Sequence, residues 1–405
     1  MKTPILTTLL VTAGMTGTAY AAGFALIEQN ASGLGNAYAG QAAVAEDAST
    51  IFFNPAGLTY VPGRQVVVAG HLIVPSAKFS GSATSALPVP LPTGNGGDAG
   101  EATFVPNAYY SMDVGPNLKF GIGLNAPFGL TTEYDTDWKG QAQAVKSDLK
   151  TLNVNPSLAW KMNDRLSLGV GLNWQRIEAE LTSVHPLAHI PVNMEGEDNG
   201  SWGWSAGALW SLDVASRLGF AYRSSIEHRL KGNLTAATST PVYADVELPA
   251  TASFSYWRRL NGTWEVLADV TWTEWSDFRS LDIQRQSDGV TLSSVPEHWD
   301  NVWRYSVGLT YRPNRSWTWR MGVAYDESPV PDPAHRTPRI PDSDRTWIAV
   351  GGQYRMSPAS AVDFGYTHIF VDDGDIDHLN NGVRLTGSYD NRIDILSLQY
   401  THSFF

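Results

Sequence analysis

The sequence contains no cysteine, which excludes disulfides, thiolate zinc sites, iron–sulfur clusters and a cysteine nucleophile. It also lacks a surplus of positive charge. Because 28 Lys and Arg stand against 40 Asp and Glu, the formal charge of −12 argues against nucleic-acid binding. After the first residues there is no run of 18 predominantly apolar residues, so a transmembrane helix is not expected. If the mature chain enters a membrane, it must do so as a closed barrel.

The start of the chain has the three parts of a secretory signal peptide. Lys2 supplies the positive charge, residues 5–11 are apolar, and Ala19–Ala21 form a small-x-small cleavage signal. We therefore predict that residues 1–21 are a signal peptide and that the protein is exported.

What the mature chain does contain is strict alternation of apolar and polar residues. Between residues 166 and 175 the even positions are apolar and the odd positions are Ser, Gly, Asn or Gln, which is the period of a β-strand. Trp202 and Trp210 lie eight residues apart on one apolar face, as do Trp264 and Trp272. Eight tilted residues span roughly 20 Å, so the rings fall at both edges of an apolar band. This placement favours a membrane barrel over a soluble sandwich, which also alternates.

Counting strands and turns predicts an all-β fold, a transmembrane antiparallel barrel of about fourteen strands within residues 64–405. Short turns alternate with longer polar loops, and in bacterial barrels the short turns face the periplasm. The predicted strands are 64–78, 103–113, 118–126, 149–161, 165–181, 200–212, 216–231, 246–259, 263–276, 301–312, 316–326, 343–355, 358–371 and 391–404.

Residues 22–63 do not fit a strand pattern. They are rich in Ala, Gly, Asn and Ser and carry few charges. A ring of this size would otherwise enclose an open aqueous lumen. We therefore predict that this segment lies inside the barrel as a plug.

Several motifs carry a resemblance to a known family. They are the runs 23–26 (GFAL), 32–40 (SGLGNAYAG), 46–50 (EDAST), 54–58 (NPAGL), 222–224 (YRS), 328–331 (SPVP) and 340–345 (IPDSDR). In these motifs the chain resembles the FadL-type outer-membrane transporters, which take up long-chain fatty acids and other hydrophobic compounds. The resemblance covers the whole mature chain and implies the same plugged barrel of fourteen strands.

The resemblance also implies a transport route. Ligand would be captured by an extracellular groove, pass into a luminal pocket with cationic groups, and leave after movement of the plug, or hatch, through a gap beside a kinked third strand. Phe53, Asn54, Pro55 and Ala56 are the residues implied for the hatch gate.

The third predicted strand carries the residues expected for the lateral exit. Gly and Pro weaken the pairing of a strand, although a plain strand end would use the same residues. The candidates are Gly121, Gly123, Pro127 and Gly129.

An apolar loop and an apolar wall are the candidate sites for a hydrophobic ligand. The predicted third long loop, residues 181–194, is almost uncharged and half apolar, and Leu187 and Ile190 in it are candidates for capture. The alternative is that the loop packs on itself as a lid. At the end of the fifth strand the alternation places Ile177 and Leu181 on the inner face of the wall. An apolar inner wall suits an apolar ligand better than a sugar or an ion.

Four arginines are predicted by phase to point into the lumen, where a guanidinium can hold a carboxylate through two hydrogen bonds. These are Arg223, Arg304, Arg320 and Arg345. The inward acids Glu265, Asp269 and Asp326 offer an alternative, in which each arginine belongs to a structural ion pair.

The sequence predicts no catalytic site, metal site or cofactor. The run 203–207 (GWSAG) matches a hydrolase motif but lies within an alternating strand, whereas the motif requires a strand-to-helix turn. His185 and His189 flank a proline in a loop, so a zinc site is not expected there. The acidic run 372–377 is interpreted as a solvated loop.

Together these features predict a monomer in the outer membrane of a Gram-negative bacterium, with outer-membrane lipid and a hydrophobic small molecule as its partners. Long-chain fatty acids are the expected ligands. The alternatives are a barrel of the same fold for aromatic hydrocarbons and, from another class, an outer-membrane esterase or lipase. A general porin would lack the plug.

Overall fold

A computed structural model describes residues 23–86 and 88–404, and the predicted signal peptide lies outside them. The described strands form a closed antiparallel barrel of 14 strands, built from 20 strand segments. The first segment pairs with both the second and the last, which closes the ring. The segments are Arg64–Ser85 (β1), Thr103–Asp113 (β2), Leu118–Asn125 (β3), Gly129–Glu133 (β4), Lys146–Lys161 (β5), Leu166–Val184 (β6), Pro191–Asp213 (β7), Ser216–Arg223 (β8), Ile226–Thr235 (β9), Ser239–Leu248 (β10), Thr251–Arg259 (β11), Trp264–Thr273 (β12), Ser280–Arg285 (β13), Thr291–Pro296 (β14), Val302–Tyr311 (β15), Trp317–Asp326 (β16), Arg345–Arg355 (β17), Ser360–Val371 (β18), Gly374–Asn380 (β19) and Val383–Phe404 (β20).

The predicted fold and strand number are confirmed, but many strand bounds were wrong. The first strand continues past 78 to Ser85, and the last begins at Val383 instead of 391. The predicted strand 216–231 is two segments, β8 and β9, with a break between Arg223 and Ile226. These errors concentrate where strands extend towards the long hairpins. There the outward face is no longer uniformly apolar, so the alternation that marks a strand is lost.

The predicted third loop is largely a β-hairpin. β6 continues to Val184 and β7 begins at Pro191, which leaves only residues 185–190 as a turn. The acidic run 372–377 is likewise mostly strand, because β19 begins at Gly374. Both interpretations as loops are therefore corrected.

The two faces of the barrel wall differ as the alternation requires. Outward side chains are large and apolar yet exposed in the isolated chain, with Leu172 at 56% and Leu398 at 61%. Inward side chains such as Asn153, Asn173 and Thr367 are polar and fully buried. A soluble protein rarely exposes so continuous an apolar surface, which is typical of a face covered by lipid.

Residues 23–63, which we call the N-terminal segment, pack against the barrel strands. It contains three helical turns, Ala31–Leu34 (α1), Gln41–Val44 (α2) and Thr50–Phe53 (α3), and a 3-10 turn at Pro55–Tyr60. Its residues are almost all buried, and its turns contact strands on different sides of the ring: α1 meets β17 and β18, α2 meets β8 and β11, and the 3-10 turn meets β5 and β6. A second 3-10 turn spans Trp275–Asp277.

None of the helices among the described residues is long and apolar enough to cross a membrane.

On one side the N-terminal segment packs directly against the backbone of the wall. A Cβ added to Gly351 would lie 2.9 Å from the Cα of Gly35, and one added to Gly308 would lie 3.0 Å from the Cβ of Asn36. The Nδ2 of Asn36 donates to the wall carbonyls of Leu309 and Met321 at 3.0 and 3.1 Å. Glycines at these wall positions therefore allow the close approach of two backbones. We call this contact the glycine seam.

Candidate functional site

Two cavities lie inside the barrel, with an aromatic cluster around Phe24 between them. The ring centroid of Phe24 lies 4.8 Å from that of Trp275 and 6.1 Å from that of Phe128. Phe24 lines the outer cavity, and Phe128 lines the inner one. The inner cavity, about 130 Å³, lies beside the N-terminal segment, and the outer cavity, about 70 Å³, lies among the extended hairpins. Both have the apolar character of small-molecule sites.

The predicted apolar wall and the predicted capture residues occupy different places. Ile177 and Leu181 both line the outer cavity, together with Leu149, Leu230 and Val246. Leu187 and Ile190 lie in the turn 185–190 at the tip of the β6–β7 hairpin and line neither cavity. Leu187 is 55% exposed there.

Arg304 lines the inner cavity and is nearly fully buried. Its Nη2 donates to the carbonyl of Ala37 at 2.8 Å, and the guanidinium lies 4.9 Å from the centroid of the Trp347 ring. Its Nε and Nη1 are buried but have no hydrogen-bond partner within the described chain. A buried donor without a partner is costly, so these groups are suited to meet an acceptor on a ligand.

Arg223 lines the same cavity and contacts the N-terminal segment. It donates to Oδ1 of Asn173 and to the carbonyl of Phe52, and it lies 4.3 Å from the centroid of the Phe52 ring. Among the described residues, no carboxylate pairs with it. Arg223 is therefore a buried cation with hydrogen bonds but no direct ion pair in the described part of the chain, and the carboxylates Asp269 and Asp326 line the same cavity.

Arg320 and Arg345 point inward, as predicted, but they do not line the inner or the outer cavity. Arg320 forms ion pairs at 2.8 Å with Glu46 of the N-terminal segment and with Asp363 of β18. Arg345 pairs with Asp342 and lies 4.0 Å from Asp326. For these two arginines the structure corresponds to the ion-pair alternative, because acids from the N-terminal segment, from other strands and from the connection before β17 pair with them.

Sequence reasoning missed two charged residues of the outer cavity, Arg339 and Glu297. Arg339 donates to the carbonyls of Lys146, Gln143 and Thr182 at 2.9–3.2 Å, and burial lowers its pKa to about 10. Burial raises the pKa of Glu297 to about 8, although Trp299 and Arg339 act in the opposite direction. Both residues lie in connections between strands, where strand phase gives no direction.

The predicted gate residues lie at the base of the inner cavity. Phe53 and Pro55 line it. The Nδ2 of Asn54 donates to the carbonyl of Ala208 in the wall at 3.1 Å, and its Oδ1 accepts from the backbone N–H of Ala56 at 3.0 Å. This turn therefore joins the N-terminal segment to β7.

The third barrel strand is interrupted at residues 126–128, which include the predicted Pro127, and the predicted Gly129 begins β4 directly after the break. The other two predicted residues, Gly121 and Gly123, are not at the break. The ladders to β2 and β5 run past both of them to the end of β3. A glycine in a paired strand therefore did not interrupt it.

The N-terminal segment covers the break from inside. The backbone N–H of Leu26 donates to the carbonyl of Pro127 at 2.8 Å, and that of Gly129 donates to the carbonyl of Phe24 at 2.9 Å. A side cavity of about 140 Å³ opens beside the break and shares Leu26 and Phe128 with the inner cavity. These two side chains therefore separate the inner cavity from the side cavity.

The hydrolase-like motif, residues 203–207, lies within β7, with no strand-to-helix turn. Ser205 lines the inner cavity beside Arg223 on the neighbouring strand. His185 and His189 both lie in the turn of the β6–β7 hairpin.

Comparisons with known proteins agree with this architecture. A family model described as "Outer membrane protein transport protein (OMPP1/FadL/TodX)" matches residues 12–404. The long-chain fatty acid transport protein of Salmonella typhi is 28% identical over 394 residues, which cover 87% of this chain and 88% of that protein. The crystal structure of a Pseudomonas aeruginosa FadL homologue has a TM-score of 0.90 at 28% identity, over 95% of this chain and 100% of that chain. The toluene transporter TbuX of Ralstonia pickettii shares the fold, with a TM-score of 0.67 at 18% identity over 88% of this chain and 94% of that chain. The chain thus belongs to the OMPP1/FadL/TodX family of outer-membrane transport proteins, and it is a protein of the outer membrane of Gram-negative bacteria.

Proposed function

We propose that this protein is a passive, monomeric transporter that carries long-chain fatty acids inward across the outer membrane and catalyses no reaction. The observation that carries the proposal is the inner cavity, which is largely apolar but contains two arginines with free capacity. Among the described residues, Arg223 has no paired carboxylate, and Nε and Nη1 of Arg304 have no hydrogen-bond partner. An apolar cavity suits an alkyl chain, and a buried guanidinium suits a carboxylate. The Salmonella typhi relative is named for fatty-acid transport, which agrees with this ligand.

The proposed route begins at the tip of the β6–β7 hairpin, where exposed Leu187 and partly exposed Ile190 capture ligand from outside. The alkyl chain of the ligand then enters the outer cavity past Ile177 and Leu181 and reaches the inner cavity. In this proposal the N-terminal segment acts as a hatch. Its movement, centred on Phe53 to Ala56, uncovers the break at 126–128 and lets ligand leave into the outer-membrane lipid.

The carboxylate clamp is tested by removing the charge of each arginine separately. Arg223→Gln and Arg304→Gln are expected to weaken binding of oleate by roughly tenfold or more, since a charge-assisted hydrogen bond is lost. Binding of methyl oleate should stay within about twofold, because the ester carries no charge. Equilibrium binding to the protein in detergent measures both ligands.

A matched control for that experiment is Arg229→Gln. Arg229 lies outside both cavities and pairs with Asp245 on the exposed face. If neither luminal variant changes the ratio of acid to ester binding, the clamp is refuted and a neutral hydrocarbon becomes the better ligand. That outcome would favour the alternative ligand class, for which TbuX offers a related fold.

Glu297 gives the outer cavity a predicted pH dependence. Because burial raises the pKa of Glu297 to about 8, its carboxyl group is mostly neutral at pH 7 and ionises as the pH rises through 8. A negative charge would then face an anionic ligand across an apolar cavity. Oleate binding should therefore weaken severalfold between pH 7 and pH 9, and Glu297→Gln should make it independent of pH in this range. An equal decline in both proteins would assign the effect to another group.

A further inference from the structure

Five inward polar residues on three adjacent strands form what we call the polar belt. They are Asn153, Asn155 and Ser157 on β5, Asn173 on β6 and Ser205 on β7, each at most 3% exposed. Ser157 pairs in register with Gly171, which pairs in turn with Ser205. The belt is thus a continuous polar patch on the inner wall.

Each residue of the polar belt has a buried polar atom without a hydrogen-bond partner among the described residues. These atoms are Oδ1 of Asn153, Oδ1 of Asn155, Oγ of Ser157, Nδ2 of Asn173 and Oγ of Ser205. Buried polar groups in proteins are normally satisfied, and each exception requires water, an ion or a ligand. These atoms include both donors and acceptors, so together they can bind ordered water, which also donates and accepts. A site for an anion alone would consist of donors only.

Polar groups of the belt crowd around Gly171 on β6. A Cβ added there would lie 2.6 Å from the Oγ atoms of both Ser157 and Ser205, and 2.8 Å from the Nδ2 of Asn155. Three polar groups from two strands, β5 and β7, therefore converge above Gly171 on β6, which has no side chain.

The polar belt connects two features of the proposed route. At one end Ser205 pairs with Arg223 across β7 and β8, and Oδ1 of Asn173 accepts from the Arg223 guanidinium. At the other end the Nδ2 of Asn153 donates to Oδ1 of Asn125 at 3.0 Å. Asn125 is the last residue of β3 before the break at 126–128.

We propose that the polar belt is a hydrated track for the ligand head group. A carboxylate leaves Arg223, moves over the belt and its ordered water, and arrives at Asn125 beside the break in the third strand, while the alkyl chain stays in the inner cavity. Without such a track the carboxylate would cross an apolar wall with neither water nor a cation, which is strongly unfavourable. The track selects single-chain amphiphiles with a small anionic head group. It rests on the proposed function and adds to it the path of the head group.

Two variants test the track without touching Arg223. Asn155→Leu removes one polar group of the belt, and Gly171→Ala places a methyl group among the polar atoms that converge there. Both are expected to lower the uptake of radiolabelled oleate by roughly tenfold, as the loss of buried hydrogen-bonding partners predicts, in cells where the variant is the sole transporter of this kind. Uptake of methyl oleate and equilibrium binding of oleate should stay within about twofold of the wild type, because the ester needs no polar track and the clamp is intact.

Thr367→Val is the matched control, because Thr367 is also fully buried and inward, with an unpartnered Oγ1, but lies on β18 across the barrel. It should leave oleate uptake unchanged. Heat-modifiable gel mobility checks that each variant is folded, and Gly171→Ala serves if Asn155→Leu does not fold. Wild-type oleate uptake in the folded variants overturns the track. If Arg223→Gln and Arg304→Gln still weaken binding of oleate more than binding of methyl oleate, the proposed function stands without the track.

A crystal structure supplies an independent readout. Ordered water on Asn155, Ser157 and Ser205 is expected, and a belt without water overturns the proposal even if uptake falls. The belt could also hold ordered water while neither Arg223→Gln nor Arg304→Gln changes the ratio of oleate to methyl oleate binding. In that case the carboxylate clamp is refuted, and the track is refuted with it because it was inferred for an anionic ligand.

Discussion

Deletion of residues 22–63 is expected to turn a closed barrel into an open channel, with single-protein conductance rising by roughly tenfold or more over the full-length protein. The N-terminal segment is almost entirely buried within the strand ring and contacts strands on different sides of it. A barrel of 14 strands is too wide for its own side chains to fill, since porins with slightly more strands hold aqueous channels.

Planar-bilayer recording measures this effect, with the full-length protein as the reference. Heat-modifiable mobility must show that the truncated barrel is folded, because the glycine seam and the ion pair between Glu46 and Arg320 are lost with the segment. A folded but non-conducting truncated barrel would mean that the long hairpins close the lumen.

Loss of the Arg320 side chain is expected to destabilise the protein by about 3–5 kcal/mol in free energy of unfolding. Arg320 is buried between Glu46 and Asp363, at 2.8 Å from each. In Arg320→Met, Glu46 still has an ion pair with Arg312 at 3.1 Å. Asp363 retains only hydrogen bonds from the uncharged amide of Gln353, at 3.1 Å, within the described chain. Removing one partner of a buried ion pair leaves the other charge without compensation, which is the reason for the large effect.

Urea unfolding in lipid vesicles, followed by tryptophan fluorescence, measures this loss. Arg229→Met is the matched control, because both side chains of its pair with Asp245 are exposed and such a pair contributes little to stability. The double variant Arg320→Met with Asp363→Leu should recover part of the loss, since no buried charge then remains on β18. Equal losses in Arg320→Met and Arg229→Met would contradict the assignment of a buried network.

The sequence determined the strand number, the membrane-facing surface and the inward direction of all four arginines. Each of these follows from the period of two, because lipid on one side and the lumen on the other impose opposite polarities on successive residues. Local alternation carries that information, so Arg223 and Arg320 could both be placed on the inner face without any knowledge of their neighbours. The alternation is lost where the strands extend beyond the bilayer. In those parts the predicted strand ends and the predicted 181–194 loop were wrong.

Only the tertiary structure decided which inward charges are neutralised and which line a cavity. Glu46 and Arg320 are separated by 274 residues, and no periodicity relates a residue of the N-terminal segment to one strand of the ring. Arg339 and Glu297 lie in connections that have no strand phase, yet the fold brings both to the outer cavity. Strand phase fixes the side of the wall on which a group lies, but ion pairing depends on separations of a few ångströms, which are set by packing between distant parts of the chain.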